Sequence, residues 1–129
     1  MAALPTGAAC ATDQVLYHPD SRGIEFDLLP WCRARGMPVM AYSPLGQAGR
    51  LLRSRALGAV AARHGATPAQ VALAWAMRHD DVIVIPKATT LAHVEENLKA
   101  IDLLLTHDDL VAVDRAFPQP RKPEPLDML

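Results

Sequence analysis

Three short apolar runs, separated from one another by helical patterns, constrain the fold of this chain more than any other feature. The runs occupy residues 8–17, 38–42 and 82–86, and the last two contain no charged side chain. Strands buried on both faces have continuous apolar sequences, and strands that alternate with helices form parallel sheets. The pattern predicts an α/β fold with about three parallel strands, in a sheet whose faces are covered by helices.

The segments between these runs carry the start and stop signals of helices. Asp27 is expected to cap a helix that stops at Gly36. Thr67 is followed by Pro68 and Gln70, the pattern of a helix start with a capping box. Apolar residues at helical spacing predict further helices that begin near residues 54, 91 and 106. The expected order is strand, helix, strand, two helices, strand and two helices.

The chain is expected to form one partial domain over residues 1–129. Three parallel strands make a thin sheet whose two edges carry unpaired backbone groups, which indicates that part of the structure is missing. Residues 118–129 are rich in proline, and proline interrupts regular secondary structure. We expect this last segment to be an extended C-terminal arm.

Composition excludes several classes of function. The chain is 50% hydrophobic and 21% charged with a formal net charge of −1, which is typical of a soluble globular domain. It lacks the basic excess of proteins that bind nucleic acid or anionic membranes. No run approaches the roughly 18 apolar residues of a membrane helix. The five histidines lack the spacing of metal ligands, so no metal site is expected.

Cysteine usage indicates a cellular compartment. Cys10 and Cys32 are the two cysteines, and they lack the spacing of a metal site. A disulfide between them is one interpretation, and buried free thiols in a reducing compartment are the favoured one. The predicted location is therefore the cytoplasm.

Polar residues lie within or directly after each apolar run. Asp13 and Gln14 interrupt the first run, Tyr42 to Gly46 follow the second, and Lys87 follows the third at the start of a helix. Ligands of parallel α/β proteins bind beyond the carboxyl ends of strands, and a helix N-terminus attracts anions. Each position also has a plain structural interpretation: a polar strand end, an ordinary turn, and a lysine that faces water.

Taken together, these positions resemble a known family. The strings DQVLYHP (13–19), GMPVMAYSPLGQ (36–47) and VIVIPKATTLAHVEENL (82–98) are similar, in order and spacing, to the last three strand–loop units of aldo-keto reductases. TPAQVALAW (67–75) resembles the helix before the last strand of that family. The resemblance implies the C-terminal half of a (β/α)8 TIM barrel that binds NADP(H) without a Rossmann fold.

The resemblance also implies roles for residues at the nicotinamide end of this cofactor. Gln14 matches the glutamine that holds the nicotinamide carboxamide, and Tyr42 matches the tyrosine that stacks on the nicotinamide ring. Ser43 and Leu45 match the loop that lies along the pyrophosphate. The resemblance therefore implies that these four residues bind the cofactor.

At the adenosine end, Lys87 matches the lysine that pairs with the 2′-phosphate. Glu96 and Asn97 match the pair that hydrogen-bonds the adenine. The cofactor expected from the resemblance is NADP(H), with NAD(H) as the alternative.

Several positions depart from the pattern of the family. Ala88 stands where many relatives have a serine that contacts the 2′-phosphate, and Thr89 or Thr90 is expected to substitute for it. His93 stands in place of an arginine that clamps this phosphate, which predicts a weaker preference for NADPH over NADH. Asp13 stands where relatives more often have asparagine, and its charge is either harmless or perturbs the nicotinamide site.

The resemblance implies NAD(P)H-dependent reduction of aldehydes or ketones, but not by this chain alone. The family uses a tyrosine acid assisted by lysine, aspartate and histidine, all in its first four strands. Tyr17 and Tyr42 match other positions, so no catalytic residue is assigned and the chain alone is expected to be inactive. A carbonyl substrate is expected only if the missing half completes the barrel.

The alternative hypothesis is a non-catalytic product. The chain would then be a half-barrel that binds a dinucleotide or serves as an assembly piece, or the product of a decayed gene. In either case, open sheet edges and uncovered apolar side chains predict self-association.

Overall fold

The computed structural model describes residues 10–128 and contains one parallel sheet with five α-helices. The strands are β1 (Asp13–Leu16), β2 (Val39–Tyr42) and β3 (Val82–Ile85), hydrogen-bonded in the order β1-β2-β3. The helices are α1 (Leu28–Arg33), α2 (Arg55–His64), α3 (Pro68–Ala76), α4 (Leu91–Leu98) and α5 (His107–Ala116). The predicted α/β class and the predicted order of elements are confirmed. Residues 8 and 9 of the first predicted strand lie outside the described residues.

The capping signals act as the sequence predicts. Thr67 and Gln70 form both hydrogen bonds of a capping box at the start of α3, with lengths of 2.9 and 3.2 Å. Thr106 and Asp109 form the same pair at the start of α5. Asp27 caps α1 by accepting a 2.7 Å hydrogen bond from the backbone N–H of Leu28. These helix starts are local features, because each depends on residues at most three positions apart.

The helices cover one face of the sheet. Val15, Val39, Ala41 and Val82 are buried on that face in a core with residues of α1, α2 and α3. A strand followed by a helix and a parallel neighbouring strand makes a right-handed crossover. Because the strands follow one another across the sheet in sequence order, both crossovers place their helices on the same side.

The other face is buried by the described residues only at Leu16, so the prediction of a sheet covered on both faces is wrong for most of this face. It carries the alternate residues of the strands: Gln14, Leu16, Met40, Tyr42, Ile83 and Ile85. Ile83 is 46% exposed and Ile85 is 39% exposed.

Helix α4 is amphipathic as predicted, but its apolar side chains remain exposed. Leu91 is 73% exposed, Val94 42% and Leu98 56%. Ile101, just beyond the helix, is 64% exposed. The helix follows β3, which is an edge strand, and no further strand in residues 10–128 lies beyond it to receive the apolar side.

A cluster of buried charges lies behind the carboxyl end of β1. Glu25 accepts a hydrogen bond from Arg22 and another from Arg78, each 2.8 Å long. It also accepts a 2.6 Å hydrogen bond from the Tyr17 hydroxyl. The guanidinium groups of Arg22 and Arg78 lie 4.9 and 3.7 Å from the centroid of the Trp75 ring. The cluster therefore joins the loop after β1 to α3 through cation–π contacts as well as ion pairs.

The same cluster holds the C-terminal segment. Arg22 donates hydrogen bonds to Asp114 of α5 at 2.7 Å and to the Phe117 carbonyl at 2.6 Å. The Ser21 hydroxyl donates to Asp127 at 2.6 Å. Residues 118–128 form neither helix nor strand and contact the loop after β1.

No helix within residues 10–128 is long and apolar enough to cross a membrane. Cys10 and Cys32 are free thiols, of which Cys32 is buried and Cys10 is exposed. The preference for free thiols over a disulfide is confirmed, and the prediction that both are buried is wrong for Cys10.

Candidate functional site

The loops that follow β2 and β3 meet at the carboxyl edge of the sheet and enclose a cavity of about 460 Å³. We call it the phosphate cavity, for the chemistry described below. The loop after β2 contributes Ser43, Pro44, Leu45 and Gln47, and the segment after β3 contributes Pro86, Lys87, Thr89 and His93. The fold therefore brings three of the predicted site residues together, although more than forty positions separate Ser43 from Lys87.

The backbone of the loop after β2 is unusual. Ser43 and Gln47 have φ angles of 45° and 54°, and Gly46 has a φ of 57°. Left-handed conformations are uncommon for residues other than glycine, and they concentrate at ligand-binding segments. The Gly46 N–H donates a 2.9 Å hydrogen bond to the Ser43 carbonyl, which closes the turn. The turn presents Ser43 and Leu45 to the cavity.

The charge of the cavity is positive. Lys87 and His93 are its basic lining residues, and none of the lining residues is acidic. The first turn of α4 also contains no carboxylate. Because a helix N-terminus carries a partial positive charge and free amide groups, it adds to the attraction that the lysine exerts on an anion. This geometry suits a phosphate group.

The two threonines after Lys87 have different surroundings. The Thr90 hydroxyl is the N-cap of α4 and accepts a 3.3 Å hydrogen bond from the backbone N–H of His93. Thr89 instead lines the cavity with Lys87. Of the two hydroxyls that the sequence leaves as candidates, Thr89 is therefore the one available to an anion in the cavity.

Gln14 and Tyr42 lie on the uncovered face of the sheet. Gln14 pairs with Met40, and Tyr42 pairs with Leu16 and Ile85, so alternation puts both predicted site residues on one face. Tyr42 is the last residue of β2 and directly precedes the loop of the phosphate cavity. The side chain of Tyr42 therefore lies on the uncovered face, and its backbone leads directly into the loop of the phosphate cavity.

The neighbouring Asp13 belongs to the opposite face. Alternation along β1 places its side chain on the helix side, away from that of Gln14. The raised pKa of the Cys32 thiol agrees with this placement, because burial is its main cause and the charge of Asp13 adds to it. The structure therefore favours the harmless interpretation of Asp13.

Glu96 and Asn97 do not line the phosphate cavity. Asn97 lines a second, largely apolar cavity of about 480 Å³ between β3 and α4, which shares Pro86 with the first. The backbone carbonyl of Glu96 accepts a 2.9 Å hydrogen bond from the Gln70 side chain. Both residues are half-buried on α4, one turn beyond His93.

One polar contact between two loops has no signal in the sequence. Arg50, in the segment after the tight turn, donates hydrogen bonds of 2.7 and 3.1 Å to Asp20 in the loop after β1. Asp20 in turn donates its backbone N–H to Nδ1 of the buried His18 at 3.2 Å. Burial holds the pKa of His18 below its usual value, against the opposing charges of Asp20 and Asp127. The residues lie on different loops and match no sequence motif, so only the fold reveals them.

Tyr17 lies on the helix side of the sheet, away from these loops. Its hydroxyl donates to Glu25 at 2.6 Å and accepts from Arg78 at 3.0 Å. Burial raises its pKa far above the usual value for a phenol, and the charge of Arg78 opposes the rise only in part. The phenol is therefore neutral and fully engaged within the core.

Between residues 10 and 128, no three side chains of histidine, cysteine, aspartate or glutamate are grouped so that they could hold a metal ion.

Comparison with known proteins identifies the family. The model of the aldo/keto reductase family matches residues 3–117. Methylglyoxal reductase YeaE of Escherichia coli strain K12 is 50% identical over 130 residues, which cover 98% of this chain and 46% of the relative. Glyoxal reductase of Bacillus subtilis is 34% identical over 102 residues, covering 79% of this chain and 36% of the relative. The chain thus spans less than half the length of these relatives.

Solved structures agree with this. An aldo-keto reductase from Klebsiella pneumoniae in complex with NADPH superposes with a TM-score of 0.90 at 49% identity, covering 96% of this chain and 45% of that one. A Klebsiella pneumoniae aldo/keto reductase in complex with NADP and acetate superposes with a TM-score of 0.94 at 46% identity, covering 98% and 46%. The three parallel strands and their helices match part of the TIM barrel of such enzymes. The chain belongs to the aldo/keto reductase family.

Proposed function

We propose that this chain supplies the NADP(H)-binding part of an aldo/keto reductase that reduces aldehydes or ketones, and that it corresponds to the C-terminal half of the barrel. The observation that carries the proposal is the phosphate cavity, in which Ser43 and Leu45 face Lys87 and His93. A positively charged cavity at the carboxyl ends of parallel strands suits the phosphates of a dinucleotide. The NADPH and NADP complexes of the similar Klebsiella pneumoniae proteins support this assignment.

Each end of the dinucleotide has its own residues in this proposal. Lys87 pairs with the 2′-phosphate in the phosphate cavity, and Ser43 and Leu45 lie along the pyrophosphate. Tyr42 and Gln14 hold the nicotinamide on the uncovered face, which Tyr42 links along the chain to the loop of the cavity. Tyr42 packs against one face of the ring and leaves the other free for the substrate.

Glu96 and Asn97 bind the adenine in this proposal. Their position on α4, one turn beyond His93 and outside the phosphate cavity, is compatible with a base bound next to the phosphate. Asn97 lines the second cavity, whose apolar walls suit a flat aromatic base.

The bound cofactor supplies the hydride, and carbonyl reduction also requires a proton donor. Neither tyrosine of the chain suits this role. The Tyr17 hydroxyl is buried between Glu25 and Arg78, and Tyr42 is assigned to the nicotinamide ring. We therefore assign no catalytic residue within residues 1–129 and expect the isolated chain to bind the cofactor without turnover.

Calorimetric titration of the purified chain with NADPH tests this proposal, with methylglyoxal turnover assayed in parallel. We expect saturable binding without turnover. Lys87→Ala should weaken binding at least about tenfold, because a charged partner of the phosphate is lost. Lys99→Ala is the matched control, since Lys99 is exposed just beyond the end of α4. Equal affinities for the two variants would contradict the role of Lys87, and steady turnover would contradict the absence of a catalytic residue.

A second candidate function is that of an assembly piece, and the exposed apolar surface favours it. Leu91, Leu98 and Ile83 lie on α4 and the edge strand β3, next to a largely apolar cavity. Exposed patches of this kind ordinarily bind another polypeptide, and an open strand edge can pair with one. We propose that this surface causes the chain to self-associate.

Sedimentation velocity tests the second candidate. The purified chain should sediment as a dimer or larger species, and Leu91→Lys with Leu98→Lys should shift it towards the monomer. Arg115→Glu, on the exposed side of α5, is the control for a change of surface charge. A monomeric wild-type chain at high concentration would contradict self-association.

A further inference from the structure

His93 is placed where its charge bears directly on a bound phosphate. It lines the phosphate cavity together with Lys87 and Thr89, in the first turn of α4. Its side chain is exposed. Histidine is also the side chain that ordinarily gains its charge between pH 8 and pH 5.

The groups around His93 do not change their charge in that range. The loop after β2 lines the cavity with Ser43, Pro44, Leu45 and Gln47, none of which is charged. Lys87 is the other charged lining residue, and Glu96 lies one turn further along α4. Lysine and glutamate side chains ordinarily keep their charges between pH 6 and pH 8. Among the described lining residues, His93 is therefore the one whose residue type ordinarily changes its charge in this range.

We propose that His93 makes the discrimination between NADP and NAD depend on pH, because its contribution to the selection of the phosphorylated dinucleotide grows as the pH falls. This inference rests on the proposed function. In neutral solution Lys87 supplies the full positive charge of the cavity, with the Thr89 hydroxyl as a donor. In mildly acidic solution the protonated imidazole adds a second charge, and the 2′-phosphate gains from it while the 2′-hydroxyl of NAD does not.

The phosphate has its own titration, which acts in the opposite direction. A phosphate monoester loses its second negative charge as the pH falls through about 6. Lowering the pH should therefore weaken NADP selection in any protein that lacks a compensating group. The contribution of His93 is the difference between the wild-type chain and a variant whose side chain at this position cannot be protonated.

The experiment is a set of calorimetric titrations with NADP⁺ and NAD⁺ at pH 6.0, 7.0 and 8.0. The measured quantity is selectivity, the ratio of the NAD⁺ to the NADP⁺ dissociation constant. At each pH, the selectivity of the wild type is divided by that of His93→Gln. We expect this quotient to be about threefold larger at pH 6 than at pH 8, which is the size of effect usual for an exposed charge pair. The selectivity of His93→Arg should exceed that of His93→Gln at all three pH values, without the rise in this ratio towards pH 6 that is expected of the wild type. His107→Gln removes an exposed histidine of α5 and should behave as the wild type.

The outcomes separate this inference from the proposed function. If NADP⁺ binds and the wild type and His93→Gln change in parallel with pH, the inference is wrong and the proposed function stands. If neither dinucleotide binds at any pH, both are wrong for this chain. Thr89→Val should lower the NADP⁺ affinity and keep the same pH dependence of selectivity as the wild type. This result would show that the Thr89 hydroxyl and the His93 imidazole act on the phosphate independently.

Discussion

The charged residues behind β1 and those beyond β3 have opposite arrangements. Behind β1, Arg22 and the Glu25 side chain are buried, Arg78 is partly buried, and both arginines pair with Glu25 at 2.8 Å. Beyond β3, Lys87 is exposed and makes no ion pair with any residue between 10 and 128. A charge that is paired inside the fold serves stability, whereas a charge left at the edge of a cavity is available to a ligand. The two regions should therefore respond differently to mutation.

The largest effect is expected from the buried cluster. Glu25→Ala leaves one buried and one partly buried guanidinium group without their shared carboxylate, and the Tyr17 hydroxyl without its acceptor. Removing one partner of a buried ion pair costs about 3–5 kcal/mol, so the midpoint of urea denaturation should fall steeply. The matched control is Arg50→Ala, because Arg50 is 83% exposed and its pair with Asp20 is screened by water. Equal losses in the two variants would contradict the distinction between buried and exposed pairs.

A smaller effect is expected from acid. Burial lowers the pKa of His18 and of His79 below the usual value of 6.5. The unfolded chain takes up these protons near pH 6.5 and the folded chain only at lower pH, so stability should decline as the pH falls below about 6.5. Urea midpoints at pH 7.5 and pH 5.5 measure the decline. His18→Gln should reduce it, whereas the exposed His93→Gln should leave it unchanged.

At still lower pH, the protonation of buried carboxylates should cause a further loss of stability. The hydrogen bonds of Glu25 with Arg22 and Tyr17 outweigh its burial and lower its pKa. Burial would raise the pKa of Asp109, but its hydrogen bonds with His64 and Arg63 outweigh this effect. The pKa of Asp109 therefore lies well below its usual range. A carboxylate with a lowered pKa contributes stability above its unfolded value, which is lost as the pH falls through the folded value. The urea midpoint should therefore fall more steeply with decreasing pH below pH 4.5 than above it. A midpoint that falls no more steeply there would contradict this expectation.

The smallest effect on stability is expected at the cavity. Lys87→Ala should change the free energy of unfolding by no more than about 0.5 kcal/mol, as is usual for exposed side chains without partners. The same variant should show the loss of NADPH affinity described above. A large loss of stability would mean that Lys87 supports the fold, and its part in ligand binding would then have to be reconsidered.

What could be predicted from the sequence depended on short distances along the chain. The capping boxes of Thr67 and Thr106 each need residues only three positions apart, and both are present. The apolar runs predicted the strands because strands of a parallel sheet have short, continuous apolar sequences. The candidate site residues Lys87 and Ser43 were also found from their positions directly after strands.

Other features depended on contacts between distant residues. Tyr17 and Arg78 are 61 positions apart, and no local pattern indicates that they share Glu25. The choice between Thr89 and Thr90 depended on which hydroxyl caps α4, since both residues precede the same helix.

By itself the sequence determined the order of strands and helices, the helix starts, and the residues that follow each strand. The tertiary structure decided that the helices cover one face of the sheet, leaving Tyr42 and Gln14 on the other. It also decided that Lys87 and His93 share a cavity with Ser43, and that the apolar side of α4 is exposed. The physical reason is that local patterns set backbone conformation within a few residues, whereas the side on which each crossover packs is set by the twist of the whole sheet.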